Sequence, residues 1–251
     1  VERAQLGIDS GGPGQHRGGF GMRRSLRLTR GTASYSLLSD GAIMPPFGIH
    51  GGESGAPVDC YVIKKDGGEH HFSRPGKVGG YPLSEGDTLV LQSAAGGGYG
   101  DALSRKTDAV SEDVKNGLVS IGIAEKIYGV QFNDANEVDE NKTGEKRAEL
   151  LASRAKIKVK AVDNDPYVPS GPSKRRVISL NPLDIKTFGL KIDQKIELLD
   201  AQGPPLRGWV RSDETVVLGT VCMDTNGMLL LGVEDGKEVQ LRPLNIPSVT
   251  F

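Results

Sequence analysis

Residues 9–24 read DSGGPGQHRGGFGMRR, and six of the sixteen are glycine, with one histidine and three arginines among the rest. Such a run is a phosphate-cradling loop, a flexible linker, or a set of backbone corners that only glycine can turn. A P-loop needs a lysine and a Ser or Thr after its last glycine, and neither stands there. The dinucleotide fingerprint opens a helix, and no helical period follows Arg24. A second run, SAAGGGYGD from Ser93 to Asp101, does lead towards helices but lacks the acidic partner of a βαβ unit. Close backbone approach and positive φ are therefore the favoured use of these glycines. Substrates and partner subunits are also held by close backbone approach, so a binding role stays open.

The surroundings decide the fold. The runs VERAQLGI, SLRLTR, ASYSLL, VDCYVIKK and DTLVLQSA are strand-length and separated by glycine-rich turns. Of the 35 glycines, 23 fall in the first hundred positions, together with all four histidines. From about residue 104 the pattern turns helical. SRKTDAVSEDVKNG stops at Gly117, SIGIAEKIYG is capped by Ser120 and ended by Gly129, and a third helix runs from about Val138. VDNDPYVPSGPSKRR then packs three prolines and a glycine into seven positions, which marks a linker. Beyond Arg176, Asn181, Pro182 and Gly189 frame one short helix. QKIELLD, LRGWVRSD, TVVLGTVCMD, GMLLLGVED and KEVQLRPL read as strands. The expectation is a mainly β (α+β) protein with three segments. Residues 1–160 form a glycine-rich β domain capped by short helices, 161–176 a linker, and 177–251 a small β-barrel.

Composition bounds the function. The chain has 251 residues and a net charge of −1, so no basic surplus points to nucleic acid. No apolar run is long enough for a membrane helix. Cys60 and Cys222 form no CxxC pair, and a reducing cytoplasm is expected. The chain opens on Val1 rather than methionine and reads as a fragment or a processed subunit. His16 and His50 stand alone in loops, and His70 and His71 are adjacent and would face opposite sides of a strand. No metal-ligand spacing results, and no metal site is expected from this chain alone. Arg17, Arg23 and Arg24 either hold an anion or pair with Asp9 and Glu2. Cys60 reads as a core thiol, and Trp209 as a packed barrel residue.

Four segments carry a family resemblance. VERAQLGIDSGGPGQHRGGFGMRR resembles the E…L…DSGG.G..RGG.G..R pattern of the C-terminal half of the hydantoinase B/5-oxoprolinase family. PPFGIHGGESGAP is similar to that family's next glycine-rich segment. SRPGKVGGYPLSEGDTLVLQSAAGGGYGDALSR resembles its GD…GGGGYGDP..R segment, with Ala95 and Ala102 where glycine and proline are common. DAVSEDVKNGLVSIGIAEKIYGV is similar to its helical tail. Together these cover about residues 1 to 133. The resemblance implies part of a B-type subunit in an ATP-dependent amidohydrolase complex that opens hydantoins, 5-oxoproline or lactams. A partner, the hydantoinase A-like ATPase subunit, would bind ATP and Mg and phosphorylate the substrate's carbonyl oxygen. The N-terminal half of the B-type subunit would hold a divalent metal (Zn, Mn or Fe). This chain would join both in a hetero-oligomer acting on a small molecule. Binding is expected at Asp9, Ser10, Gly11, Gly12, Gly14, His16, Arg17, Gly18 and Gly19, and at Gly96, Gly97, Gly98, Tyr99, Gly100 and Asp101. The two loops should approach each other, and charge reversal at Arg17 should lower turnover far more than stability. Related acetone and acetophenone carboxylases supply an alternative activity, and a non-catalytic assembly subunit is a further one. ISLNPLDIKTFGLKIDQKIELLD resembles the NP.D element of double-psi β-barrels, with Asp193-Gln194 where Gly-Asp is usual. That implies a barrel used for packing or subunit contact.

Overall fold

A computed structural model describes residues 1–162, 176–200 and 202–246. They form two compact units, one chiefly of residues 1–48 and 52–144, the other chiefly of 145–245.

The N-terminal unit begins with β1 (Arg3–Leu6), β2 (Met22–Arg27), β3 (Thr32–Leu38) and β4 (Asp59–Ile63). It continues with β5 (Glu69–His71), β6 (Lys77–Ser84) and β7 (Thr88–Gln92). Five of these form an antiparallel sheet in the order β1-β2-β7-β4-β5, and β3 pairs with β6 as a separate ribbon. Alternation makes the core: along β4, Cys60 and Val62 are buried while Asp59, Tyr61 and Ile63 are half-buried. Cys60, Val62 and Leu89 of the sheet pack on Tyr35, Val78 and Leu83 of the ribbon. β6 lies outside the strand runs expected from sequence. Gly79, Gly80 and Pro82 break the pattern of β6, yet the ribbon has only two strands, and a proline is tolerated where an edge needs no amide.

The helices match the expectation: α1 (Thr107–Lys115), α2 (Ile121–Lys126) and α3 (Glu140–Ala152). Gly117 takes φ +66° and its amide donates to Val114, ending α1. The Ser120 hydroxyl accepts from Ile123 N at 3.3 Å and starts α2. Val110, Ala124, Tyr128 and Val130 form a small core between them.

The second unit is a six-stranded sheet of β8 (Lys156–Ala161), β9 (Val177–Leu180), β10 (Lys195–Leu199), β11 (Leu206–Ser212), β12 (Thr220–Met223) and β13 (Glu238–Pro243). Its order is β12-β8-β13-β10-β11-β9, and the end strands β12 and β9 lie against each other, closing a barrel. Two pairs, β11–β9 and β12–β8, are parallel, and the rest are antiparallel. Helix α4 (Pro182–Thr187) follows β9, and α5 (Thr225–Leu231) follows β12. One spacing separates Asn181 from Asp224, Gly189 from Gly232, and Ile196 from Val239. Asn181 and Asp224 cap the two helices, and Gly189 and Gly232 both turn at positive φ after them. The barrel is thus an internal repeat, β8-β9-α4-β10 mirrored by β11-β12-α5-β13, with the double-psi-like arrangement expected.

Two expectations are corrected. GMLLLGVED reads as a strand, but most of it is α5, so the barrel has two short helices rather than one. An apolar run this short carries no period of its own, and the Asp224 cap and Gly232 decide it. The sequence places the barrel at 177–251, but its sheet already includes β8, which lies before the linker. Most of the linker, 163–175, lies outside the described residues.

Candidate functional site

Three glycine-rich segments meet in the N-terminal unit: residues 7–21, 46–48 with 52–56, and 93–101. Their contact is main chain to main chain. Gly12 N donates to Gly96 O (2.8 Å), Gly96 N to Gly19 O (2.9 Å), and Gly18 N to Gly12 O (2.9 Å). His16 and Tyr99 exchange both amide bonds, at 2.9 and 2.8 Å. The middle segment threads between: Glu53 N donates to Pro13 O (2.7 Å), while Glu53 O accepts from Gly98 N (2.9 Å). A Cβ on Gly12 would stand 2.5 Å from Glu53 O and 2.6 Å from Gly98 N. One on Gly98 would strike Pro13 O, one on Gly97 Phe47 O, and one on Gly18 Gly96 O. A phosphate cradle needs convergent unspent amides. These amides are spent on neighbouring carbonyls, so the segments are a backbone knot and not a nucleotide loop.

The expected site residues sort accordingly. Gly11, Gly12, Gly14, Gly18 and Gly98 are buried, and Gly97 is half-buried. Buried Ser10 accepts from Gly21 N (2.9 Å) and donates to Gly7 O (2.7 Å). Asp9, at φ +62°, accepts from Ser120 N at 2.7 Å. Asp101 accepts from Leu103 N at 3.0 Å, and Gly100 turns at φ +73°. The groups that reach solvent are the rings of His16 and Tyr99 and the backbone of Gly19 and Gly96. The two rings stand 6.0 Å apart at an interplanar angle of 54°. The loops do approach each other, and this ring pair is what their junction displays.

Arg17 pairs with neither Asp9 nor Glu2. Its Nε and Nη2 grip the two carboxylate oxygens of Asp113 on α1, each at 3.0 Å, and its guanidinium lies 4.1 Å from the centre of the Phe20 ring. Arg105 donates to the same carboxylate at 2.9 Å. Asp113 is 6% exposed, so this is a half-sheltered ion cluster. Reversing the charge of Arg17 would set a carboxylate against Asp113, so a cost in stability is expected beside the expected loss of turnover. Glu2 instead pairs with Arg27 (3.2 Å), Arg24 donates to the Met22 sulfur, and Arg23 to Gln92 (3.4 Å). Asp113, Arg105 and Phe20 are absent from the sequence-derived set, and no local spacing signals a partnership 96 residues apart.

The other histidines sit elsewhere, on opposite faces as expected. His70 stacks on Tyr81 at 4.7 Å, while His71 stacks on Tyr61 at 4.8 Å and contacts Glu69 at 2.9 Å. Among the described residues no three His, Cys, Asp or Glu side chains gather to hold a metal ion. Burial pushes the Cys60 thiol up from its ordinary value, and it donates to Pro75 O at 2.9 Å, an inert core thiol. A cavity of about 410 Å³ opens beside Ser93 and Ala94, walled by Met22, Leu37, Val58 and Leu91, with Arg24 and Asp59 among its polar groups. No helix of the described residues is long and apolar enough to cross a membrane.

Knotted glycine segments, a ring pair at their junction and a following barrel define a mainly β protein whose glycine segments are spent on main-chain pairing. Residues 1–102 match the model of the hydantoinase B/oxoprolinase family. It is similar to the beta chain of the caprolactamase of Pseudomonas jessenii, 33% identical over 155 residues, which is 59% of this chain and 26% of the relative. It is also similar to the B component of a putative D-/L-hydantoinase from a Pseudomonas species, 31% identical over 147 residues, 59% of this chain and 24% of the relative. The nucleotide-free structure of acetone carboxylase shares the fold over 61% of this chain and 25% of its own, with TM-score 0.50 and 22% identity. The chain thus spans about a quarter of the length of each of these three proteins.

Proposed function

We propose that this chain serves in the B-type component of an ATP-dependent amidohydrolase that opens a cyclic amide: a hydantoin, 5-oxoproline or a lactam. The observation that carries the reading is the His16–Tyr99 pair, displayed by glycine segments in a family whose named members include hydantoinase and caprolactamase subunits. A cyclic amide resists water because its carbonyl is a poor electrophile. Phosphorylation of that oxygen by an A-type partner ATPase, with ATP and Mg²⁺ bound there, turns it into a leaving group. An imidazole and a phenol side by side then suit orientation of the activated ring or proton delivery to it. The cavity by Ser93 offers an apolar wall with polar groups, as a small ring amide needs. A divalent metal would belong to the N-terminal half of the B-type component. Among the described residues of this chain no three His, Cys, Asp or Glu side chains gather to hold one.

The test is reconstitution with an A-type subunit and the remainder of the B-type component, followed by ADP release. Release that depends on a lactam, hydantoin or 5-oxoproline is the expected result. Release that depends instead on bicarbonate and a ketone would make the complex a carboxylase. Assembly with full turnover by a complex lacking this chain's ring pair would leave it an assembly role.

A further inference from the structure

We infer that Asp113, acting through Arg17 and Arg105, is a positioning residue for the His16–Tyr99 ring pair. The proposal rests on the reading of that pair as the surface that meets the substrate.

Asp113 touches neither ring. It lies on α1, 6% exposed, and both its carboxylate oxygens are engaged by guanidinium groups. The fork from Arg17 is two-pronged, the arrangement that fixes a guanidinium in plane as well as in position. Each arginine then donates to a further acceptor on the first glycine loop. Arg17 Nη1 donates to Gly18 O at 3.2 Å, and Arg105 Nη1 donates to Gln15 O at 3.3 Å. These two carbonyls bracket His16 and Arg17. The histidine is thus held from behind at both sides by struts that end on one carboxylate. In front, its backbone is paired with Tyr99.

The arrangement has a clear division of labour. The glycine knot sets where the loops run, but Gly19 and Gly96 beside the rings are exposed, and a Cβ on Gly19 would meet nothing within 4 Å. The outer part of the loop therefore has no packing to hold it from the solvent side, and the ion cluster supplies the restraint. Asp113 is itself anchored, because its carbonyl accepts the amides of Leu118 (2.9 Å) and Val119 (3.2 Å) at the end of α1. Side-chain shape alone would not require an acid here. Two arginines converging on one loop do, since without the carboxylate their like charges would separate the struts.

The experiment uses Asp113→Asn, Asp113→Glu and, as a milder second variant, Arg105→Lys, each in the full chain. Ring-labelled histidine gives one NMR signal for each of His16, His50, His70 and His71, with His16 assigned by His16→Gln. Asp113→Asn should move the His16 signal and leave His70 and His71 in place. In the reconstituted complex it should lower kcat about 10- to 100-fold, the scale of a misplacement near 1 Å, with KM little changed. Asp113→Glu, which restores a two-oxygen acceptor, should recover part of that loss. Should Asp113→Asn fail to fold, Arg105→Lys removes one strut and should shift His16 in the same sense. A His16 signal unmoved in folded variants would overturn the proposal. A moved signal with unaltered turnover upholds the positioning and removes the ring pair from the reaction, which overturns the functional reading instead.

Discussion

In the N-terminal unit the tightest packing lies between main chains, where Gly12, Gly18, Gly97 and Gly98 press against carbonyls and amides of neighbouring segments. In the barrel it lies between side chains: Leu180, Ile196 and Leu198 are fully buried, and Leu241 is 2% exposed. The glycines differ in kind as well. Those of the knot have no space for a Cβ, at ordinary φ. Gly189 and Gly232 in the barrel have nothing within 4 Å and are needed for their positive φ. One unit is specified by what is absent from its side chains, the other by what is present. The first unit should thus fail when a methyl is added and the second when a side chain is removed. The lone Trp209 lies in the barrel, so its fluorescence follows that unit, while near-ultraviolet tyrosine signals weigh the other.

The largest effect is expected from Glu197→Ala. Glu197 is 1% exposed on β10, and its two oxygens accept from Arg207 Nε and Arg242 Nε, both at 2.8 Å, from the strands on either side. Removing a buried partner of an ion pair costs about 3–5 kcal/mol. Urea unfolding followed by Trp209 should shift accordingly. A loss under about 1 kcal/mol, the level of an exposed pair, would show that the triad is solvated and the barrel is held by its apolar core alone.

Gly98→Ala tests the other side of the contrast. The added carbon would strike Pro13 O, and overpacking a rigid backbone costs about 3 kcal/mol. Gly19→Ala, with open space, is the control and should change stability by less than about 0.5 kcal/mol. Equal effects at the two positions would break the idea of a knot. Arg17→Glu comes next, at about 2 kcal/mol, because it sets a carboxylate against Asp113 in place of a charge-assisted fork.

These differences also explain what the sequence could reveal. Strands and helix ends in both units are readable because their signals are local: alternation in VDCYVI, Ser120 before α2, Asn181 and Pro182 before α4. The knot is readable as a need for glycine, but not as three segments sharing Glu53, because that pairing is long-range. Likewise Arg17 announces a charge without naming its partner. Helix α5 escapes a sequence reading because MLLL satisfies a strand and a helix equally, and only its ends tell them apart. β8 falls to the wrong unit because its barrel partners, β12 and β13, follow the linker in sequence.

The smallest effect concerns Asp87, in the turn between β6 and β7, where side-chain and main-chain restraint combine. Its carboxylate accepts from Ser84 N (3.0 Å), Lys64 Nζ (3.0 Å) and Lys65 N (3.3 Å). The Ser84 amide first, and then Lys64, hold it below the ordinary aspartate range. A carboxylate whose folded value is depressed stabilises the protein above its unfolded value, near 3.9, and that contribution fades as pH falls through the lower folded value. The stability gap between the wild type and Asp87→Asn should therefore be constant from about pH 7 to 5 and narrow below about pH 4. Barrel unfolding seen by Trp209 should be the same in both proteins at every pH. A gap that persists undiminished into strong acid would mean that the turn is held by shape rather than charge. This unit would then rely on its main chain even where it has a side chain to use.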